Sequence, residues 1–369
     1  MKKNNILLKA LYFIVIISFS SVLYAQKSQA DRNARPSTSG KLHVAGTEIH
    51  DQNDKAVVLR GVSTHGLTWY PKFVNRNLFK QISSEWNANF IRLAMYSEDY
   101  VNGNKKKNLE ILHNGIAYAI ESNMYVLVDW HILNDNNPNQ NLSEAVAFFN
   151  QIAKEYASVP NVIYEICNEP NGDCTWADIK EYAAIIIPII RRHNPDAMIM
   201  VGTPDYDRDI ESPAKDPLDF DNVMYSFHFY TSSHGYDMQE KLCQIVEGGT
   251  PVFITECGIS EASGNGRINF SRAKNWFNQI DYMNLSYAVW SLSNKEEESA
   301  MIKDTSHATE YLTDKDLSLC GQFVRTLLRG EDINQFFFEY GTYSHLRLLW
   351  STEPALIWVN FCHFQKILM

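Results

Sequence analysis

Two glutamates stand at the ends of apolar runs in this chain: Glu169 in "VIYEICNEPN" (162–171) and Glu256 in "PVFITECG" (251–258). A carboxyl group at the end of a buried strand is held in place, and two that face one basin are the minimum equipment for cleaving a glycosidic bond. Metal binding is the rival use of such a pair. An isolated Asn-Glu-Pro triplet is ordinarily a solvated loop; strand, triplet and a second strand-end glutamate together are far more specific. Pro170 has no N–H to continue a ladder and is expected to help end the strand before it. Other apolar runs also finish on chemically able residues: His65, Arg92 with Tyr96, Asp129 with His131, Asn168, Asp205 with Tyr206, His228 with Tyr230, and Trp290. The starts of the same runs carry mostly Val, Asn, Tyr, Pro and Leu. His65, His131 and His228 come from separate runs with no i,i+4 pairing, so neither a metal nor another cofactor is expected.

The elements that must position these residues are short apolar runs beginning at Val58, Asn89, Tyr125, Val162, Met198, Asn222, Pro251 and Leu285. Between most of them lie segments with helical spacing of apolar residues: "NLEILHNGIAYAIES", "LSEAVAFFNQIAKEYAS", "TWADIKEYAAIIIPIIRRHN" and "RINFSRAKNWFNQIDYM". Continuous Val/Ile/Leu runs are the mark of parallel strands covered by helices on one side and a core on the other. Eight such units over roughly 250 residues predict an α/β protein, a (β/α)8 TIM barrel, in which active sites gather at the carboxyl ends of the strands. The alternative, a doubly wound open sheet, is disfavoured because "RGVSTHG" after the first run lacks a glycine-rich phosphate loop. A hairpin is expected in "KLHVAGTEIHDQNDKAVVL" ahead of the barrel.

Composition narrows the partners. A net charge of −10 over 369 residues disfavours nucleic acid and anionic membranes, which need clustered Lys and Arg. Lys2 and Lys3, an apolar stretch from Ala10 to Leu23 and a small residue at Ala25 read as a secretory signal peptide over 1–25, because the stretch falls short of the roughly 20 residues of a membrane span. Residues 26–40 read as a polar linker, 41–330 as the barrel and 331–369 as an aromatic-rich tail without a clear period. The six cysteines are too sparse for a disulfide framework, and Cys167 and Cys257 read as buried thiols.

On these residues the chain resembles glycoside hydrolase family 5, and within it the bacterial endoglucanases. The matching blocks are "LRGVSTHGLTWY" (59–70), "FIRLAMY" (90–96), "VLVDWHIL" (126–133), "VIYEICNEPN", "NVMYSFHFY" (222–230), "FITECG" (253–258) and "WSLSNKEEES" (290–299). The resemblance implies a secreted, monomeric retaining endo-β-1,4-glucanase acting on cellulose or related β-glucan. A β-mannanase or mixed-linkage glucanase on the same barrel, or a non-catalytic glycan-binding protein, are the other readings. It implies Glu256 as nucleophile, held as a carboxylate by Arg92 and Tyr230, and Glu169 as acid/base, kept protonated by the nearby charge of Glu256. Asn168 is implied at the sugar 2-hydroxyl, and His65, His131 and His228 as sugar ligands and orienters of the glutamates. Trp69, Tyr96, Tyr206 and Trp290 offer flat faces for pyranose rings, and Lys295 and Glu297 match positions that bind sugars on the non-reducing side. Where the family pattern carries a tryptophan platform after the fifth strand, this chain has "TPDYDRD", with Tyr206 in its place.

Overall fold

The computed structural model describes residues 29–334. The chain divides after Ala30, and the unit beginning at Asp31 carries every element of the fold. The expected hairpin is a three-stranded antiparallel sheet of β1 (His43–Ala45), β2 (Glu48–His50) and β3 (Ala56–Val57). Eight parallel strands then close a barrel: β4 (Arg60–Thr64), β5 (Phe90–Tyr96), β6 (Tyr125–His131), β7 (Val162–Glu165), β8 (Ile199–Val201), β9 (Val223–Tyr230), β10 (Val252–Gly258) and β11 (Tyr287–Leu292). Each pairs with its sequence neighbour, and β11 pairs with β4 to complete the ring. All eight expected runs are barrel strands, and the four expected helical segments are helices at Lys105–Glu121, Leu142–Glu155, Trp176–His193 and Phe270–Tyr282.

The strands are buried throughout, yet their two faces differ. On β5, Ile91, Leu93 and Met95 join the apolar layer with helix residues such as Leu78, Phe79, Leu112 and Ile116. Phe90, on the opposite face, belongs to a second cluster with Tyr125, Leu127, Ile163, Met200, Met224, Phe253 and Ala288. That cluster fills the amino end of the barrel, as alternation along a strand requires.

The same cluster takes in Ala34, Leu42, Ile49 and Val57, so the segment ahead of the barrel plugs its floor. The sequence reads residues 31–40 as part of a solvated linker, and the structure differs. Pro36–Ser39 form a helical turn, Ala34 is buried, and the Arg35 guanidinium donates to Ser83 Oγ at 3.0 Å and to the Ala88 carbonyl. The polar composition of this stretch reflects hydrogen bonds to the barrel floor.

The helix Leu319–Arg329 closes the described barrel and stops at Gly330, whose φ of 70° is the left-handed C-cap that glycine adopts without strain. Residues 1–25, expected to be a signal peptide, lie outside the described residues, as do 26–28 and tail residues 335–369. Of the cysteines, Cys167, Cys174, Cys243, Cys257 and Cys320 are free and buried. Among the described residues no helix is long and apolar enough to cross a membrane.

Candidate active site

Strand register builds the site from β5 outward. Two residues above Phe90, Arg92 lies in the barrel with no solvent exposure and meets carboxylates from three other strands. Its Nε donates to Glu165 at 2.7 Å, its Nη1 to Glu256 at 3.0 Å, and its Nη2 lies 2.9 Å from Asp129. Nη2 also donates to Asn168 Oδ1 at 2.7 Å and Nη1 to Ser63 Oγ at 3.3 Å. Burial works against the guanidinium charge, and Asp129, Glu165 and Glu256 outweigh it, so Arg92 stays protonated well above its ordinary range. The planar, five-donor guanidinium is the group suited to several acceptors at once.

Glu256 sits on β10 opposite His228 of β9, just past an irregularity in the ladder after Phe253. Besides Arg92, it accepts the Tyr230 hydroxyl at 2.6 Å. Glu169 is reached differently. The strand β7 ends at Glu165, four residues earlier, so Pro170 is not what ends it; the chain leaves the barrel wall first and then turns. Glu169 itself has a left-handed backbone, φ 42°. Its N–H donates to Asp207 Oδ2 at 2.9 Å, and its Oε1 lies 2.9 Å from His228 Nδ1. One ligand atom from each of Glu169, His228 and Glu256 can be chosen so that all lie within 4.8 Å of one another. The two glutamates converge.

Their surroundings are unlike. Burial pushes the Glu169 carboxyl up to about 7, with Arg92 and Arg208 opposing and Glu165 adding to the rise. The family resemblance implies Glu256 as the source of this rise. The Glu256 carboxylate is instead covered by Arg92 and Tyr230, and the raising charge is that of Glu165. Burial lowers His228 to about 4, so near neutrality its ring is uncharged.

An aromatic floor adjoins the pair. The His131 ring stacks on Tyr96 with centroids 4.2 Å apart and lies 5.6 Å from Trp290. His131 Nδ1 is fixed by Asp129 Oδ2 at 2.7 Å, and its Nε2 faces Asn168 at 3.3 Å. Asn168 is fully buried; it accepts from Arg92 and donates to the Ile132 carbonyl at 3.0 Å, which makes it an orienter within the protein network. His65 lies 4.8 Å from Trp290 and 5.3 Å from Trp69, and its Nδ1 accepts the Gly66 N–H at 2.7 Å. Burial, helped by Lys295, lowers His65 to about 3, so it too is neutral.

Two aromatic side chains beside the network stay open to solvent, Trp69 at 49 % and Tyr206 at 44 % exposure. Tyr206 is fixed beside the Glu169 loop by its N–H donating to the Pro170 carbonyl at 3.0 Å. Lys295 and Glu297 form an ion pair at 2.6 Å with the Glu297 side chain buried and that of Lys295 exposed.

The structure thus gathers Arg92, Asn168, Glu169, His228, Tyr230 and Glu256 into one network, with His65, Tyr96, His131 and Trp290 beside it. Two members are missing from the sequence reading. Glu165 is a charged residue inside an apolar run, in phase with inward-facing Ile163, and that period was the available signal. Asp207 carried none, because it arrives through an irregular turn. For a metal, the described residues offer three clusters with ligand atoms within 4.8 Å: Glu165, Asp207 and His228; Glu169, His228 and Glu256; and His43, His50 and Asp54 ahead of the barrel. The first two share His228, both of whose ring nitrogens already have hydrogen-bond partners.

Comparison with known proteins identifies a family. Residues 50–296 match the model of the family described as cellulase (glycosyl hydrolase family 5). An endoglucanase of Clostridium saccharobutylicum is 39 % identical over 353 residues, covering 93 % of this chain and 78 % of the relative. Endoglucanase A of Butyrivibrio fibrisolvens is 43 % identical over 288 residues, 76 % of this chain and 66 % of the relative. Among solved structures, the catalytic domain of Thermobifida fusca endoglucanase Cel5A in complex with cellotetraose superimposes with a TM-score of 0.77 at 34 % identity, over 80 % of this chain and all of that one.

Proposed function

We infer the reaction from family and site together: the chain belongs to glycosyl hydrolase family 5, the cellulases, and is an endoglucanase. The proposal is that it cleaves internal β-1,4 bonds of glucan with retention, by double displacement. The observation that supports it is the approach of Glu169 and Glu256 oxygens to within 4.8 Å. Retaining enzymes hold their carboxyls about 5–5.5 Å apart, whereas inverting ones leave about 6.5–9.5 Å for a water.

In this reading Glu256 attacks the anomeric carbon while the departing oxygen takes the proton of Glu169, giving a glycosyl ester on Glu256 and a Glu169 carboxylate. That carboxylate then removes a proton from water as the water attacks the same carbon, which frees Glu256 and restores the Glu169 proton. Asn168, packed between Arg92 and His131, holds the frame in which the 2-hydroxyl binds. Trp69 and Tyr206 stack glucose units away from the cleaved bond. Cellotetraose in the Thermobifida fusca relative supports a β-1,4-glucan as substrate.

Proton NMR of the first products tests the stereochemistry: β-anomeric reducing ends should appear first and mutarotate later, and initial α-anomers would overturn the proposal. Release of reducing sugar from carboxymethylcellulose should exceed that from mannan and lichenan. The enzyme is further proposed to be exported and monomeric, so that the mature protein begins near Gln26; a mature chain still carrying Lys2 and Lys3 would contradict export.

A further inference from the structure

Among the buried carboxyl groups of the described residues, that of Asp207 has no role in the double displacement. Asp207 is fully enclosed and is the last of three consecutive left-handed residues, with Asp205, Tyr206 and Asp207 at φ 59°, 60° and 58°. Residues other than glycine seldom adopt this conformation even singly. The turn is tied down on every side. The N–H of Tyr206 donates to the Pro170 carbonyl and that of Asp207 to the Thr203 carbonyl at 3.2 Å. The Asp207 carboxylate takes the Thr203 N–H on Oδ1 and the Glu169 N–H on Oδ2 at 2.9 Å. That second oxygen also lies 3.3 Å from Nε2 of His228, whose Nδ1 faces Glu169 Oε1.

We propose that Asp207 is the positioning residue of the acid/base: its carboxylate anchors the Glu169 main chain and keeps the His228 proton on Nε2, leaving Nδ1 as a hydrogen-bond acceptor for the protonated Glu169 carboxyl. The proposal rests on the acid/base reading of Glu169. A neutral imidazole has one N–H. With it on Nε2, Nδ1 presents a lone pair to Oε1 and favours the carboxylic acid; with it on Nδ1, the ring donates to Oε1 and favours the carboxylate. The other neighbour of Nε2, the Thr255 hydroxyl at 2.8 Å, can donate or accept and does not decide the matter. Asp207 decides it by geometry, because its two oxygens accept the Thr203 and Glu169 N–H groups, bonds that favour the carboxylate against the upward push of burial and Glu165 and leave Oδ2 an acceptor toward Nε2. Asp207 faces Glu165, Cys167 and Glu169 from the β7 side and His228 from β9. Glu169 faces Arg92 and Tyr96 of β5, Asp129 of β6, Tyr230 and His228 of β9, Glu256 of β10, and Arg208. Glu165 of β7 acts on both carboxyls through its charge, whereas His228 touches Glu169 with one ring nitrogen and Asp207 with the other.

The test compares Asp207→Asn with the unaltered chain. The alkaline limb of kcat/KM should move to lower pH, with a loss of about tenfold near pH 7 on cello-oligosaccharides. A dinitrophenyl cellobioside, whose leaving group needs no proton, should react within about twofold of normal. Equal losses on both substrates with an unmoved limb would reduce Asp207 to a structural residue and overturn the proposal. Nitrogen-15 NMR of the unaltered protein serves if the variant fails to fold: His228 should carry its proton on Nε2, and a proton on Nδ1 would overturn the proposal. Glu169→Gln run alongside separates the two readings. Normal cellulose cleavage by that variant sinks the acid/base role itself, whereas an inactive Glu169→Gln beside a normal Asp207→Asn sinks the Asp207 assignment alone.

Discussion

Phe90 and Arg92 are two residues apart on one strand, face the same barrel interior and are equally buried, yet they belong to different worlds. Phe90 packs against Phe253 with centroids 5.4 Å apart in an apolar half that reaches down to the Ala34–Val57 plug. Arg92 holds three carboxylates in a half that also contains Asn168, Asp207 and His228. The lower half gains free energy by removing apolar surface from water. The upper half gives some up, since buried ion pairs recover at best what desolvation costs. The difference teaches that one half supplies stability and the other spends it on geometry, so substitutions in the two halves should separate folding from turnover.

The sharpest separation is expected at Glu256→Gln, which should lower kcat by more than about 10³-fold while thermal melting and oligosaccharide binding stay close to normal. Near-normal activity would break the assignment of the upper half to chemistry. For Glu169→Ala a loss of roughly 10²–10⁴-fold on cellulose is expected, partly recovered by azide on substrates with good leaving groups. Failure of azide to help would count against the acid/base role. In the lower half, Leu127→Ala should cost about 2–5 kcal/mol in urea unfolding with kcat of the folded protein unchanged. If that variant instead lost turnover without losing stability, the two halves would not be separable.

The smallest effect concerns pH. Folded Glu169 binds its proton more tightly than the unfolded chain does, its carboxyl standing near 7 against an ordinary 4.5. Its contribution to stability is therefore complete below about pH 4.5 and is lost as pH rises to about 7. Urea unfolding across that window should show a falling stability, and Glu169→Gln should flatten the slope; an unchanged slope would place the titration elsewhere.

The same division explains what the sequence disclosed. The lower half and the outer layer are written in local patterns, so the eight runs and four amphipathic segments could be read as strands and helices. The convergence of Glu169 and Glu256 was also legible, because each glutamate closes an apolar run or follows it within a few residues. Asp207 was not, since three left-handed residues in a row have no compositional signature and are held by bonds to Pro170, Thr203 and Glu169. The source of the Glu169 shift was hidden for a related reason: adjacency of charges can be guessed from strand ends, but the shielding of Glu256 by Arg92 and Tyr230 requires coordinates. Residues 31–40 look solvated because Arg35 and its neighbours are polar, and their partners Ser83 and Ala88 are some fifty residues away.

Trapping the glycosyl-enzyme with a dinitrophenyl 2-deoxy-2-fluorocellobioside, followed by mass spectrometry of the digested protein, tests the central claim most directly. The label should sit on the peptide containing Glu256, with stoichiometric release of dinitrophenol. Label on Glu169, or turnover with no covalent adduct at all, would contradict the division of labour between the two carboxyl groups.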